Sequence, residues 1–131
     1  MGWIDEPEEK TRKDQTMAHL STLEFARTVQ TACDQSNIVT AYDVRILDDT
    51  VVKIRVFLTY GAFVDVFYNT DTENCSYALI EGDARVFGAD NAFIGWHIHP
   101  FDDPSQHIPA PQVSCDDFLR IVEEHNAEML E

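Results

Sequence analysis

Three of the five histidines lie in one proline-rich segment, residues 95–111, which reads GWHIHPFDDPSQHIPAP. His97 and His99 stand two positions apart, so on a β-strand both side chains point to the same face. His107 follows after a loop that carries two consecutive aspartates. Imidazole acts as a general acid or base near neutral pH and also binds transition metals. This segment is therefore the first candidate for a chemical site.

One interpretation of the segment is a metal site. His97, His99 and His107 would bind one divalent transition metal ion together with Asp102 or Asp103. Imidazole and carboxylate ligands suit zinc, iron, manganese or nickel, and two histidines separated by one residue on a strand present two ligands side by side.

A second interpretation is catalysis without any cofactor. A phosphodiester attacked by its own 2′-hydroxyl needs a base, an acid and a cation for the developing charge. His97 and His99 are the acid and base candidates, His107 assists, and Arg85 or Arg55 would stabilise the phosphate. In a third interpretation the histidines have a structural role only, because they hydrogen-bond the loop.

Hydrophobic periodicity predicts the helices on either side of these residues. Ser21 and Glu24 form a capping box before a helix over about 22–35, whose apolar side chains share one arc. A second capping box, Ser114 with Asp117, begins a helix from about 115 to the C-terminus.

Between the helices the period changes to two, from residue 38 to 99, with short polar turns. These turns permit only antiparallel neighbours. We therefore expect an α+β fold, in which a five- or six-stranded antiparallel meander carries the N-terminal and C-terminal helices on one face. The last predicted strand, about 93–99, carries the first two histidines.

Alternation also predicts the composition of the sheet face that points away from the helices. Its members are Arg45, Lys53, Arg55, Phe57, Phe63, Asp65, Phe67, Arg85, Phe87, His97 and His99. A face of this kind suits RNA, with Arg55 and Lys53 as phosphate contacts. Alternatively, its acids and bases pair across strands and its phenylalanines form a homodimer contact.

Composition sets limits on the class of protein. The 131 residues include 24 acids and 9 bases, for a net charge of −15. An acidic, lysine-poor surface indicates a halophilic protein; a surface for a basic partner is the alternative.

We expect a charged mobile tail over 1–15 and one domain over 16–131. Because no apolar run suits a membrane span or a secretion signal, we expect a cytoplasmic location. The three cysteines should be buried free thiols.

The stretch RVFGADNAFIGWHIHPFDDPSQHIPAP, followed by VSCDDFLRIVEEH, resembles the TumE-type toxin family of toxin–antitoxin systems. The corresponding residues are Arg85, the pair Asp90 and Asn91, the three histidines of the segment and the helix from 115. Here the arginine lies further from the Asp-Asn pair than in the family, with GA intervening directly before the pair, and AFIG replaces histidines that follow that pair in the family.

The resemblance implies a toxin that acts on RNA through a histidine-based site and is neutralised by an antitoxin protein. It implies that Asp90 and Asn91 hold the loop that positions the histidines and contribute to substrate binding. We therefore expect a metal-independent ribonuclease, with a metal-binding domain and a dimeric interaction module as alternatives.

Overall fold

The computed structural model of the chain describes residues 20–93 and 95–130. The tail predicted over 1–15 lies outside the described residues. Helix α1 spans Thr22–Gln35 and helix α2 spans Cys115–Met129, and each begins at a capping box. Ser21 and Ser114 are the N-caps, as predicted, and Ser21 Oγ accepts a 3.1 Å hydrogen bond from the backbone of Glu24.

Within residues 20–93 and 95–130, seven antiparallel strands form one sheet in chain order. Their bounds are β1 (Val39–Leu47), β2 (Val51–Leu58), β3 (Phe63–Asn69), β4 (Cys75–Glu81), β5 (Ala84–Asp90), β6 (His97–His99) and β7 (Ile108–Pro109). The predicted α+β meander is confirmed. The strand count is seven because the two residues of β7 pair with β6, which periodicity cannot detect in so short a segment. The strand predicted over 93–99 begins only at His97, because Phe93 and Gly95 have φ angles of 66° and 107°.

Both helices lie against one face of this sheet and contact each other. The alternating residues Val52, Ile54, Val56 and Leu58 of β2 point into the resulting core and are buried. Among the described residues, neither helix is long and apolar enough to cross a membrane. The opposite face of the sheet, called the open face below, carries the polar side chains that alternate with this core.

The register across the sheet aligns side chains of the open face in rows, since direct partners on neighbouring strands point the same way. One row consists of Arg45, Lys53, Phe67, Ser76, Asp90 and His97. The next row consists of Asp43, Arg55, Asp65, Ala78, Gly88 and His99. Both strand histidines therefore share the face of the basic residues, as alternation predicts.

A β-bulge between β4 and β5 changes this alternation at one point. Ile80 pairs with Arg85, whereas the preceding residue, Leu79, pairs with Phe87, so β5 contains one extra residue. Phe87, predicted on the open face, is instead buried in the core and packs against Phe118. The extra residue also turns Asp90 onto the open face, beside the histidines.

Candidate functional site

The carboxylate of Asp90 lies between the two strand histidines. Its Oδ1 is 3.1 Å from His97 Nε2, and its Oδ2 is 2.9 Å from His99 Nε2. The three residues meet here because Asp90 pairs with His97 across β5 and β6, while His99 lies two positions further along β6 on the same face. Asp90 thus contacts both imidazoles directly, which the sequence interpretation did not assign to it.

Main-chain carbonyls hold the other nitrogen of each ring. His97 Nδ1 lies 3.0 Å from the carbonyl oxygen of Gly95, and His99 Nδ1 lies 3.1 Å from that of Pro104. A carbonyl oxygen can only accept a hydrogen bond, so each Nδ1 carries the hydrogen. In the neutral ring the lone pair is then on Nε2, which faces Asp90.

His107 completes the cluster from the loop side. Its ring centroid is 4.9 Å from that of His97 and 4.6 Å from that of His99. One ring nitrogen of each histidine lies within 4.8 Å of the others. The strand histidines are 4% and 3% exposed, whereas His107 is exposed. The structure therefore brings the three predicted histidines together, and His107 is the one that a large substrate reaches from solvent.

The loop between β6 and β7 packs against the rest of the fold through stacked aromatic rings. The ring of Phe101 lies between Phe87 and His125, with centroid distances of 4.2 Å and 3.5 Å. Arg85 Nη2 donates a 3.0 Å hydrogen bond to the carbonyl oxygen of Pro104. Pairing of β7 with β6 begins at the residue after His107, so the chain returns to the first two histidines at that point.

Asn91 supports the end of β5. Its Oδ1 accepts a 2.8 Å hydrogen bond from the backbone nitrogen of Cys75, and its Nδ2 donates to the carbonyl oxygen of Glu73 at 2.9 Å. Both ends of the amide are thus used to join β5 to the turn before β4. This geometry agrees with a role in holding the site, while its predicted role in substrate binding remains a prediction.

The two aspartates of the loop and Cys75 lie outside the histidine cluster. Among the described residues, the cluster of metal-ligating groups contains the three histidines and includes neither Asp90 nor Asp102, although Asp90 contacts two of the three. Asp103 instead accepts hydrogen bonds from the backbone nitrogen and the hydroxyl of Ser105, at 3.2 Å and 2.5 Å. Cys75 lines the same cavity, but burial raises the pKa of its thiol to about 12, so it remains protonated at neutral pH.

Two adjoining depressions cover the open face. A cavity of about 410 Å³ surrounds the histidines and is also lined by Arg85, Asn91 and Phe93. A groove of about 610 Å³ runs over Lys53 and its neighbours on β1 to β4. Phe67 and Ser76 line both depressions, so one continuous surface leads from the histidines to the basic strands.

Acids neutralise part of the charge on this surface. Arg55 forms two hydrogen bonds with Asp65, of 2.9 Å and 3.1 Å, and its guanidinium carbon lies 4.0 Å from the centroid of the Phe63 ring. The hydrogen bonds with Asp65 raise the pKa of Arg55. Arg45 and Asp43 are 3.3 Å apart. The contact of Arg55 with Asp65 agrees with the predicted pairing across strands, whereas Arg45 and Asp43 pair within β1.

Comparison with protein-family models, with curated protein sequences and with solved structures finds no match to this chain. Its site combines buried imidazoles, a shared carboxylate, an exposed imidazole and an arginine at the edge. Such a set can transfer protons or hold a positive charge beside an anionic ligand.

Proposed function

We propose that this protein binds single-stranded RNA along the open face and cleaves it at the histidine cluster, formed by His97, His99 and His107 with Asp90. The observation that carries the proposal is the cross-strand row that leads from Arg45 and Lys53 to Asp90 and His97. A cationic surface with exposed rings beside a set of imidazoles suits a flexible anionic chain.

The distribution of charge supports RNA as the substrate. Four of the nine basic residues, Arg45, Lys53, Arg55 and Arg85, line the two depressions of the open face, although the whole chain has a net charge of −15. Among the described residues, Lys53 forms no ion pair, so its charge is available to a phosphate. Basic groups gathered on one face of an acidic protein give that face a local attraction for polyanions.

An unusual aromatic residue beside the histidines gives further support. Phe93 lines the histidine cavity, its side chain is wholly exposed, and its φ of 66° is rare for a bulky residue. Exposed rings and strained backbone are both costly and are concentrated at functional sites. A nucleobase stacked on this ring would cover apolar surface without sequence-specific contacts.

The reaction that fits this cluster is attack by a ribose 2′-hydroxyl on the adjacent phosphorus. The 2′-oxygen loses its proton and bonds to phosphorus, and the bond to the 5′-oxygen breaks as that oxygen gains a proton. The products are a 2′,3′-cyclic phosphate and a 5′-hydroxyl. The exposed His107 is the imidazole that meets the substrate, and the buried pair sets the charge around it.

The test uses a fluorescent single-stranded RNA and the purified full chain, at about 0.1 M and about 1 M salt because an acidic protein of this kind suits high ionic strength. We expect binding by anisotropy and cleavage to a cyclic phosphate. Lys53→Ala should weaken binding, and His107→Ala should abolish cleavage with binding retained. Arg120→Ala is the matched control, since this exposed arginine lies on α2 and pairs with Asp116 and Asp117.

An oligonucleotide with a deoxyribose at the cleavage position separates binding from chemistry. It should bind and remain intact, because it lacks the attacking hydroxyl. The proposal is wrong if the wild-type protein neither binds nor cleaves RNA at either salt concentration. Cleavage that is unchanged in His107→Ala would remove the histidine cluster as its site.

The resemblance to TumE-type toxins implies a cellular role for the proposed ribonuclease. The protein would act in the cytoplasm of a halophilic host, arrest growth by cleaving RNA, and be neutralised by an antitoxin protein. Induced expression should stop growth, and His107→Ala should relieve the arrest at equal protein level. Normal growth at high expression of the wild-type protein would contradict the toxin role.

A homodimer is the second candidate for the open face. Phe57 and Phe63 pair across β2 and β3 on this face, and Phe57 is 41% exposed. Two copies that meet through these rings would form an interaction module without chemistry. Light scattering tests whether the protein dimerises. A dimer that dissociates in the Phe57→Ser variant would support the interaction module. A monomer at all protein concentrations would contradict it.

A further inference from the structure

The contacts of the two buried imidazoles require a positive charge between them and Asp90. Each Nδ1 donates to a main-chain carbonyl, so each neutral ring directs a lone pair from Nε2 at a carboxylate oxygen about 3 Å away. Two acceptors facing each other at this distance repel. Either a hydrogen must lie in each of the two contacts, or one metal ion must lie between the three groups.

A metal ion is the simpler solution. The two ring side chains are only 6% and 4% exposed, and both direct Nε2 at the carboxylate of Asp90, so the lone pairs of all three groups converge in a space shielded from water. One divalent ion satisfies both Nε2 lone pairs and Asp90 together, and it also attracts His107.

The spacing of the groups also fits a metal ion. Bonds of about 2.0–2.1 Å in a tetrahedral site place neighbouring ligand atoms roughly 3.3 Å apart. The contacts of Asp90 with the two imidazoles, 3.1 Å and 2.9 Å, are close to this spacing. His107 is exposed, and one of its ring nitrogens lies within 4.8 Å of a ring nitrogen of each strand histidine, so a small movement of its side chain would bring it to the same point.

The same carbonyl contacts are also typical of the surroundings of a metal centre. Metal-binding histidines usually donate their other ring hydrogen to a carbonyl or carboxylate, which orients the ring and strengthens the ligand. Gly95 and Pro104 supply such carbonyls. Gly95 has a φ of 107°, a conformation that glycine adopts without strain.

We propose that His97 and His99 through Nε2, His107 through a ring nitrogen, and Asp90 through its carboxylate bind one divalent transition metal ion. Three imidazoles and one carboxylate favour zinc, iron(II), manganese or nickel over the hard ions magnesium and calcium. The ion deepens the function proposed above, because it would supply the positive charge beside the scissile phosphate. Asp90 takes the ligand position for which the sequence predicts Asp102 or Asp103.

The test is metal binding by the full chain after treatment with a chelator. Zn²⁺ is titrated by calorimetry and Co²⁺ by visible absorption, in excess Mg²⁺ so that the acidic surface is already occupied. We expect one ion per chain and a four-coordinate Co²⁺ spectrum. His97→Gln and His99→Gln should each weaken binding at least about 100-fold, and Asp90→Asn about 10- to 100-fold.

Two further variants distinguish loss of a metal ligand from loss of folding. His107→Ala alters an exposed side chain and should weaken binding at least about tenfold while the circular dichroism spectrum stays unchanged. Glu124→Gln is the matched control, because this exposed carboxylate lies on α2 outside the cluster, and it should leave the affinity unchanged. Absence of stoichiometric binding, or equal affinity in His99→Gln and wild type, would overturn the proposal.

The metal proposal and the RNA proposal fail separately. A protein that binds one Co²⁺ through the histidines but leaves RNA intact keeps its metal centre and loses the proposed activity. A protein that cleaves RNA through His107 yet binds no metal keeps the activity and loses the metal centre. Chelation that stops cleavage, with recovery on adding Zn²⁺, would support both.

Discussion

Arg85 donates a 3.0 Å hydrogen bond to the carbonyl oxygen of Pro104, and the same oxygen accepts from His99 Nδ1 at 3.1 Å. The arginine therefore holds the carbonyl that orients a buried imidazole. Sequence interpretation gave Arg85 a role at the phosphate, and the structure adds this positioning contact.

Arg85→Ala should lower the affinity for Zn²⁺ about tenfold, since partners of the ligands usually contribute this much. The free energy of unfolding should fall by only about 0.5–1.5 kcal/mol, the usual value of one hydrogen bond. Calorimetry and urea unfolding measure the two effects. Arg85→Lys, which keeps the charge, distinguishes a hydrogen-bonding role from a purely electrostatic one. An unchanged affinity in Arg85→Ala would rule out the positioning role.

Phe93→Gly should raise the stability and lower the RNA affinity. The φ of 66° costs a bulky residue about 1–2 kcal/mol, so glycine should gain about 0.5–1 kcal/mol after its own entropy cost. Loss of the ring should weaken RNA binding by about 1–3 kcal/mol if a base stacks there. Phe93→Asn is the control, since asparagine tolerates this φ but cannot stack. Unchanged RNA affinity would exclude a stacking role.

Asp65→Asn should strengthen RNA binding. The substitution frees Arg55 from its ion pair, so one more phosphate contact forms and the slope of log affinity against log salt steepens by about 0.7. Lys53→Ala should change the slope by a similar amount in the opposite direction. Stability should change by no more than about 1 kcal/mol, because the pair is exposed. Equal slopes in the two variants would contradict RNA binding on this face.

Buried thiols should make the fold sensitive to alkali. Burial raises the pKa of Cys33 from 9.0 to about 11 and that of Cys75 from 9.0 to about 12. Above pH 9 the unfolded thiols ionise while the folded ones remain neutral, so stability is full below pH 9 and falls towards pH 11–12. Each thiol should contribute a loss of about 1.4 kcal/mol per pH unit in this window.

Urea unfolding between about pH 8 and about pH 10 tests this dependence on the thiols. Cys75→Ala should be less stable at the lower pH because of the space left in the core, but its stability should fall less steeply as the pH rises. Parallel pH profiles for this variant and the wild type would show that Cys75 does not cause the loss.

Gly88→Ala should disturb the site through β5. A Cβ at this position would lie 3.2 Å from the carbonyl oxygen of Tyr77 and 3.5 Å from His99 Cδ2. The crowding should cost about 1–2 kcal/mol of stability and reduce the affinity for Zn²⁺ by displacing the imidazole. Ala41→Val, which enlarges an exposed side chain on β1 away from the histidines, is the control. Wild-type metal affinity in Gly88→Ala would show that the strand adjusts without moving His99.

Elements held by local interactions can be predicted from the amino-acid sequence of this protein. Ser21 and Ser114 cap their helices through residues only three positions away, so the two starts are visible in a short window. His97 and His99 share a face because strand side chains alternate with period two. The order of the strands follows from turns too short for any connection except an antiparallel one.

The composition of the site depends on contacts between distant parts of the chain. The bulge beside Ile80 moves Phe87 into the core and turns Asp90 towards the histidines, and an extra residue of this kind leaves no mark in the alternation. His107 reaches the cluster through the pairing of two-residue strand β7 with β6. Strand register and loop docking are set by packing across the whole sheet, so the carboxylate partner of the histidines is Asp90, which no local pattern indicates.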